Sequence, residues 1–275
     1  MMKRLKNENF NYVLITGSTG GLGSEFSKIL VEYSKNLIIT STNLDKAQKL
    51  ATQLKKINKK CNIISLQCDF LISNDIENLI KFIIENKISL DLLVNNAGYI
   101  TEGSIENSNI ETLLNCVKVN CLGTIQLTKN ILDLHDKSKK LNIITISSLA
   151  GNYPMPYMAV YSSTKSMLKN FMLSAGFEYQ NKNVKSLVVQ PGAIATSNDM
   201  KEAIKAQGLK GRLSAVPPDK IAMLSIKKSI KGKKIFIPGF FNKLTNLTSN
   251  LLPLSLKMKV IGSMWKKSQE KRNIK

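Results

Sequence analysis

The residues best placed to do chemistry are Ser148, Tyr161 and Lys165, in the stretch SSLAGNYPMPYMAVYSSTK. Four positions apart on a helix, Tyr161 and Lys165 share one face, so an ammonium can sit beside a phenol. A free phenol titrates near pH 10, too high for ready proton exchange at neutrality. A neighbouring cation favours the phenolate and lowers that value, toward what an acid or base working near pH 7 needs. Ser148 is spaced to hold a substrate oxygen by a hydrogen bond. A tyrosine and a lysine four apart also occur by chance on exposed helices, so the pattern takes its meaning from its setting.

That setting is an alternation of strands and helices. The runs YVLIT (12–16), NLIITS (36–41), NIISLQ (62–67), LDLLVNN (90–96), LNIITISS (141–148), VKSLVVQP (184–191) and KKIFIPG (233–239) are short, rich in Ile, Leu and Val, and bounded by turn residues, as buried strands are. Segments 24–33, 45–56, 73–85, 110–135 and 161–180 have helical apolar spacing. Such alternation predicts βαβ crossovers and a parallel sheet covered on both faces, a doubly wound Rossmann-type α/β domain. Directly after the first strand comes TGSTGGLG, Thr16 to Gly23, opening the next helix. Glycines there let the chain turn tightly and aim backbone N–H groups and a helix N-terminus at a pyrophosphate, which makes Gly17, Ser18, Thr19, Gly21, Leu22 and Gly23 the candidate phosphate contacts. Because Gly20 and Gly21 are adjacent, the loop satisfies both T-G-x-x-x-G-x-G and T-G-x-x-G-x-x-G.

Further on stand Asp69 after the third strand, the turn Asn95-Asn96-Ala97-Gly98 after the fourth, Asn120 with Gly123, and the segment Pro191 to Thr196. Taken in order with Ser148, Tyr161 and Lys165, these residues make the chain resemble the short-chain dehydrogenase/reductase family, over about residues 10 to 240. The resemblance implies that Asp69, with Phe70 beside it, and Asn96, Ala97 and Gly98 meet the adenosine side of a dinucleotide. It implies that Asn120 helps to hold a relay water and that Pro191, Gly192, Ile194 and Thr196 hold the nicotinamide. Tyr161 would be the acid/base, Ser148 would polarise the substrate oxygen, and Lys165 would orient the ribose. At the end of the second strand no Asp or Glu is present to bind the ribose hydroxyls of NAD. Ser41, Thr42 and Asn43 offer neutral donors, with Lys46 nearby, so NADP(H) is the favoured cofactor and NAD(H) is admitted. A homodimer or homotetramer, joined through the helices beginning near Ile110 and Tyr161, is also implied.

Composition narrows the field. The 275 residues are 43% hydrophobic and 21% charged, with 7 Pro and 15 Gly, which excludes collagen-like and low-complexity classes and suits one globular domain. The cysteines at 61, 68, 116 and 121 form no CxxC pair and the single His135 lies in a polar stretch, so neither a metal site nor a disulfide framework is expected. With no secretory leader pattern and no run of 18 apolar residues, a cytoplasmic location is the expectation. The net charge is +21, of which +12 falls in residues 227–275, where 13 basic residues face one acid. Arg occurs only at 4, 212 and 272, a poor supply of forks for reading nucleic acid, so no nucleic-acid partner is expected.

Residues 1–240 read as the catalytic domain and 241–275 as a basic extension, similar to those of a DltE-like branch of the family. After Pro253, Leu254, Met258, Ile261 and Trp265 repeat on one helical face with Lys257, Lys259, Lys266 and Lys267 on others. Three roles stay open for this helix: packing on its own or a partner's core, capping an apolar substrate cleft, or lying on an anionic membrane surface. The segment 197–220, with Gly208 and Gly211, is the expected lid. The leading functional reading is hydride transfer between a nicotinamide and a carbonyl or secondary alcohol, on an apolar substrate. Its alternative is a nonenzymatic dinucleotide-binding regulator that engages a partner through the basic tail.

Overall fold

Within each central strand successive side chains leave opposite faces of the sheet, and here both sets are apolar. Val13 and Ile15 join one cluster with Leu37, Ile39, Phe26 and Leu30, while Leu14 joins a second with Ile38, Leu93, Ile143 and Leu127. A strand buried on both sides needs helices on both sides, and the chain supplies them. The computed structural model describes residue 5, residues 8–195 and residues 213–273.

In chain order the elements are β1 (Phe10–Ile15), α1 (Gly21–Leu30), β2 (Ser34–Ser41), α2 (Leu44–Ile57), β3 (Asn62–Gln67), α3 (Ser73–Glu85), β4 (Leu92–Asn95) and α4 (Ile110–Val117). After a π-helical turn, Lys118–Gly123, come α5 (Thr124–Leu134), β5 (Leu141–Ile146), a 3-10 turn (Leu149–Asn152), α6 (Ala159–Glu178) and β6 (Val184–Val189). The chain continues with α7 (Pro218–Ile230), β7 (Ile235–Phe236), α8 (Phe240–Leu251) and α9 (Leu254–Asn273). The seven strands form one parallel sheet in the order β3-β2-β1-β4-β5-β6-β7. Connections run one way from β1 to β3 and the other way from β4 onward, so the order reverses between β1 and β4. Loops leaving these two strands diverge there and open a crevice at their carboxyl ends.

The doubly wound fold expected from the pattern is therefore the fold observed. Two elements differ from expectation. The helix predicted over 110–135 is interrupted by the π turn at Lys118–Gly123, an irregularity that apolar spacing does not reveal. The tail holds two helices, since Pro253 separates α8 from α9. His135 bonds the Lys182 carbonyl region through Nε2 at 3.0 Å, and all four cysteines are buried and free.

Candidate functional site

The glycine-rich loop and the Asn95–Gly98 turn are fastened to each other across the crevice. Thr16 Oγ1 accepts the N–H groups of Asn96 and Ala97, each at 3.0 Å. The Asn96 amide donates to the carbonyls of Thr16 and Gly17 at 3.0 and 2.9 Å. Gly17 has φ +59°, where a side chain is strained, and a Cβ on it would lie 2.9 Å from Ala97 Cα. A Cβ on Gly23 would lie 2.3 Å from the Gly17 carbonyl oxygen. Ser18 is tied by both backbone and hydroxyl to the Thr40 carbonyl, each at 2.9 Å. Gly20 precedes α1 with no side-chain cap, and the first turn, with Gly21, Leu22 and Gly23, holds no acid. The open, uncapped helix N-terminus and the lack of an acid there suit a pyrophosphate. Of the residues predicted to touch the adenosine side, Asn96 also acts as a clamp on the loop.

At the carboxyl end of β2 the neutral donors divide. Ser41 is buried and shares a hydrogen bond with Thr19 Oγ1 at 2.9 Å, and Asn43 Oδ1 caps α2 by accepting the Lys46 N–H at 2.9 Å. Thr42 and the Lys46 side chain are left exposed. Asp69 Oδ1 accepts the Leu71 N–H at 2.9 Å, and the Asp69 N–H donates to Asp75 Oδ2 at 2.8 Å. Phe70, expected at the cofactor, places its ring on Gly123, where a Cβ would come within 2.5 Å of it. This contact seats the π turn against the β3 end.

Ser148, Tyr161 and Lys165 come together at the carboxyl end of β5. Lys165 is only 5% exposed, with Nζ 5.7 Å from the Tyr161 ring centroid. One of its three N–H bonds has a described protein acceptor, the Ile146 carbonyl at 3.0 Å. A buried ammonium with donors to spare fits a ligand rich in hydroxyl oxygens. Ser148 Oγ accepts the Ala150 N–H at 3.1 Å, which orients it, and its side chain hydrogen-bonds the Tyr161 phenol. Spacing is fixed from beneath: Ser147 donates to the Lys165 carbonyl at 2.7 Å, and Gly151 abuts the same peptide so closely that a Cβ would meet it at 2.7 Å.

The electrostatics depart from expectation. Burial pushes the Tyr161 phenol up to about 12, against the Ser148 hydrogen bond, which lowers it. Burial also drives Lys165 down to about 8. At these separations desolvation outweighs the attraction expected from a lysine four residues away, so the phenol holds its proton firmly at neutral pH. Asn120 is fully buried in the π turn. Its Oδ1 accepts the Tyr99 N–H at 2.8 Å, and its amide donates to the Tyr99 carbonyl at 2.8 Å and to Thr164 Oγ1 at 3.0 Å. The side chain thus pins the strand that leaves Gly98 to α6.

Around this centre lie residues the sequence did not single out. Asn152, closing the 3-10 turn after Ser148, is a hub: its Oδ1 accepts from Gln190 Nε2 at 2.7 Å and Lys169 Nζ at 3.1 Å, and its Nδ2 donates to Asn246 Oδ1 at 2.7 Å. Lys169 follows Lys165 by one helical turn, the one signal that could have found it. Gly192 faces Asn242, whose Oδ1 would be 2.7 Å from a Cβ there, and the Asn242 amide donates to the Ser214 and Pro238 carbonyls at 2.9 and 2.7 Å. Asn242→Ala removes this buried brace and hollows the space against Gly192, so stability is expected to fall by about 1–3 kcal/mol, read as a lower denaturant midpoint at unchanged slope. Pro191 accepts the Leu149 N–H at 3.0 Å, and Ile194 packs on the core beside Val216. Thr196 and the segment with Gly208 and Gly211 lie outside the described residues. Tyr153, Tyr161, Ile261 and Trp265 pack on buried Ala150, Met155 and Met158, so α9 lies over the catalytic corner. No cluster of three metal-ligating side chains occurs among the described residues.

Similarity to known proteins runs the same way. A family model described as short chain dehydrogenase matches residues 11–207. A very-long-chain 3-oxoacyl-CoA reductase of Podospora anserina is 34% identical over 173 residues, which are 61% of this chain and 50% of that protein. Carbonyl reductase family member 4 of Xenopus laevis is 28% identical over 190 residues, 68% of this chain and 78% of the relative. This chain thus spans half the length of the Podospora relative. Among solved structures, a short-chain type dehydrogenase/reductase from Mycobacterium ulcerans superposes with a TM-score of 0.74 at 18% identity, covering 86% of this chain and 91% of that one. A 3-oxoacyl (acyl-carrier-protein) reductase from Agrobacterium tumefaciens, solved with NADP bound, superposes with a TM-score of 0.71 at 17% identity, covering 82% and 92%.

Proposed function

Because this chain belongs to the short-chain dehydrogenase family, we propose that it is an NADP(H)-dependent reductase of carbonyl groups on apolar substrates, with Tyr161 as the proton donor. The observation that carries the reading is the meeting of half-buried Ser148 and Tyr161 with buried Lys165 at the carboxyl end of β5. A bound nicotinamide supplies a hydride to the carbonyl carbon. The oxygen then gathers negative charge, and Tyr161 gives it the phenolic proton. Ser148, held by Ala150, donates to the oxygen charge, and Lys165 braces the ribose and offsets the phenolate left behind. A phenol near 12 is protonated at pH 7, the state from which it can donate to a far more basic alkoxide. A dinucleotide-binding regulator would have no use for a half-buried phenol beside a buried ammonium.

The substrate class we place first is a 3-oxoacyl thioester. The names of the Podospora and Agrobacterium proteins suggest it, and the corner of Tyr153, Met155, Met158, Ile261 and Trp265 is apolar enough to take an acyl chain. Assembly with a second copy is part of the proposal, supported by exposed Ile110, Leu114 and Leu122 near the π turn and by Phe177 on α6. For the cofactor, Lys46 is the cation available to a 2′-phosphate once Asn43 is committed to its cap. Lys46→Ala is expected to narrow the preference for NADPH over NADH by about three- to tenfold, modest because the side chain is exposed and screened. The deciding experiment follows NADPH and NADH absorbance against ketones, aldehydes and 3-oxoacyl thioesters, and no turnover across that panel would overturn the reading.

A further inference from the structure

Helix α8 is built inside out. Its inward face carries Asn242 and Asn246, one turn apart, which make the hydrogen bonds to Ser214 and Asn152 described above. Its outward face carries Phe240, Leu244, Leu247 and Leu251, spaced as one helical stripe, with Phe240 83%, Leu247 63% and Leu251 80% exposed. A helix that only packs on its own core puts the apolar stripe inward and the asparagines in water. Past Pro253, Leu254, Met258 and Val260 of α9 are exposed as well.

Charge tells what covers it. From Phe240 to Gln269 there are five lysines, Lys243, Lys257, Lys259, Lys266 and Lys267, and no acidic residue. A second copy meeting this surface about a two-fold axis would bring the same five lysines against themselves. An anionic lipid surface offers what both features want: an apolar layer for the stripe and phosphates for the ammonium groups. Lysine stems can lie along the apolar surface while their heads reach the headgroups. No helix among the described residues is long and apolar enough to cross a membrane, so the contact is one of lying on the surface.

We propose that α8 and α9 form a docking surface for an anionic lipid bilayer, with the Phe240–Leu251 stripe entering the headgroup boundary and the lysines pairing with lipid phosphates. The inner face of α9, through Ile261 and Trp265, touches the corner that holds Tyr161. Docking therefore carries the catalytic crevice to the lipid surface. The docking itself does not depend on the oxidoreductase reading.

The test is cosedimentation of the full chain with vesicles of phosphatidylcholine alone and with vesicles containing phosphatidylglycerol, at low and high salt. Binding to the anionic vesicles, weakened by salt, is expected, with little binding to the neutral ones. Leu247→Glu/Leu251→Glu and, separately, Lys257→Glu/Lys259→Glu should each reduce vesicle binding by at least about tenfold. Thermal unfolding of both variants should match the parent, because these side chains point outward. Failure of the parent to bind anionic vesicles, equal binding to both lipid compositions, or unchanged binding by both folded variants would overturn the proposal. So would a lipid-free dimer, seen by sedimentation velocity, that the leucine variant abolishes, since the stripe would then be covered by a second copy. Loss of enzyme turnover with intact vesicle binding would count only against the catalytic reading.

Discussion

Tyr161→Phe is expected to lower kcat for carbonyl reduction by about 10²–10⁴-fold while NADPH affinity stays near that of the parent. The ring keeps its packing on Ala150, Met155 and Met158, and only the hydroxyl that Ser148 engages is lost. The cost in stability is therefore small, about 1 kcal/mol. Single-turnover absorbance at saturating NADPH measures the chemical step directly, and parental turnover by the variant would remove Tyr161 from the reaction. The pH profile separates the two groups. Reduction needs the protonated phenol, and with Tyr161 at about 12 that form is complete throughout the neutral range. Lys165, at about 8, is the group that titrates in the working window. It is cationic below that value and neutral above it, so dinucleotide affinity should decline as pH rises through about 8. Lys165→Met should bind the dinucleotide weakly at all pH values and show no such decline.

Gly23→Ala should be the most damaging single methyl group in the nucleotide half. It would place a Cβ 2.3 Å from the Gly17 carbonyl oxygen and 2.7 Å from Asn96 Nδ2. Both neighbours are fixed, the first as backbone and the second by its own bonds to the loop, so neither can yield without opening the clamp between the glycine-rich loop and the Asn95–Gly98 turn. Overpacking of this kind costs about 1–3 kcal/mol in stability. Dinucleotide affinity should fall by at least about tenfold, because the N–H groups that face the phosphates move with the loop. Thermal unfolding with and without NADPH reads both effects: the variant should melt lower and lose the cofactor-induced rise of the parent. A full rise in the variant would show that the loop tolerates the methyl group.

The strand and helix alternation was legible because each buried run is apolar on both faces and each covering helix repeats at its own period. Motif residues were legible because glycines and a tyrosine–lysine pair carry their chemistry in their identity. What the pattern could not show were polar side chains whose partners lie far away in the chain. Asn152, Gln190 and Asn246 meet from three elements, and nothing in their local sequence marks them. Local sequence placed Asn96 and Phe70 at the nucleotide end but did not show that the one also braces the glycine-rich loop or that the other also packs on Gly123. The direction of the Tyr161 shift was missed because spacing gives proximity, whereas desolvation depends on everything packed around the ring.

The Asn242–Gly192 contact has a bearing on protein engineering. Any side chain at 192 would collide with the amide at 242, and a shorter residue at 242 would leave a hole beside 192. Chimeras that exchange the terminal helices between homologous enzymes must therefore transfer both positions as a unit. A crossover point set between them would join halves that do not interlock.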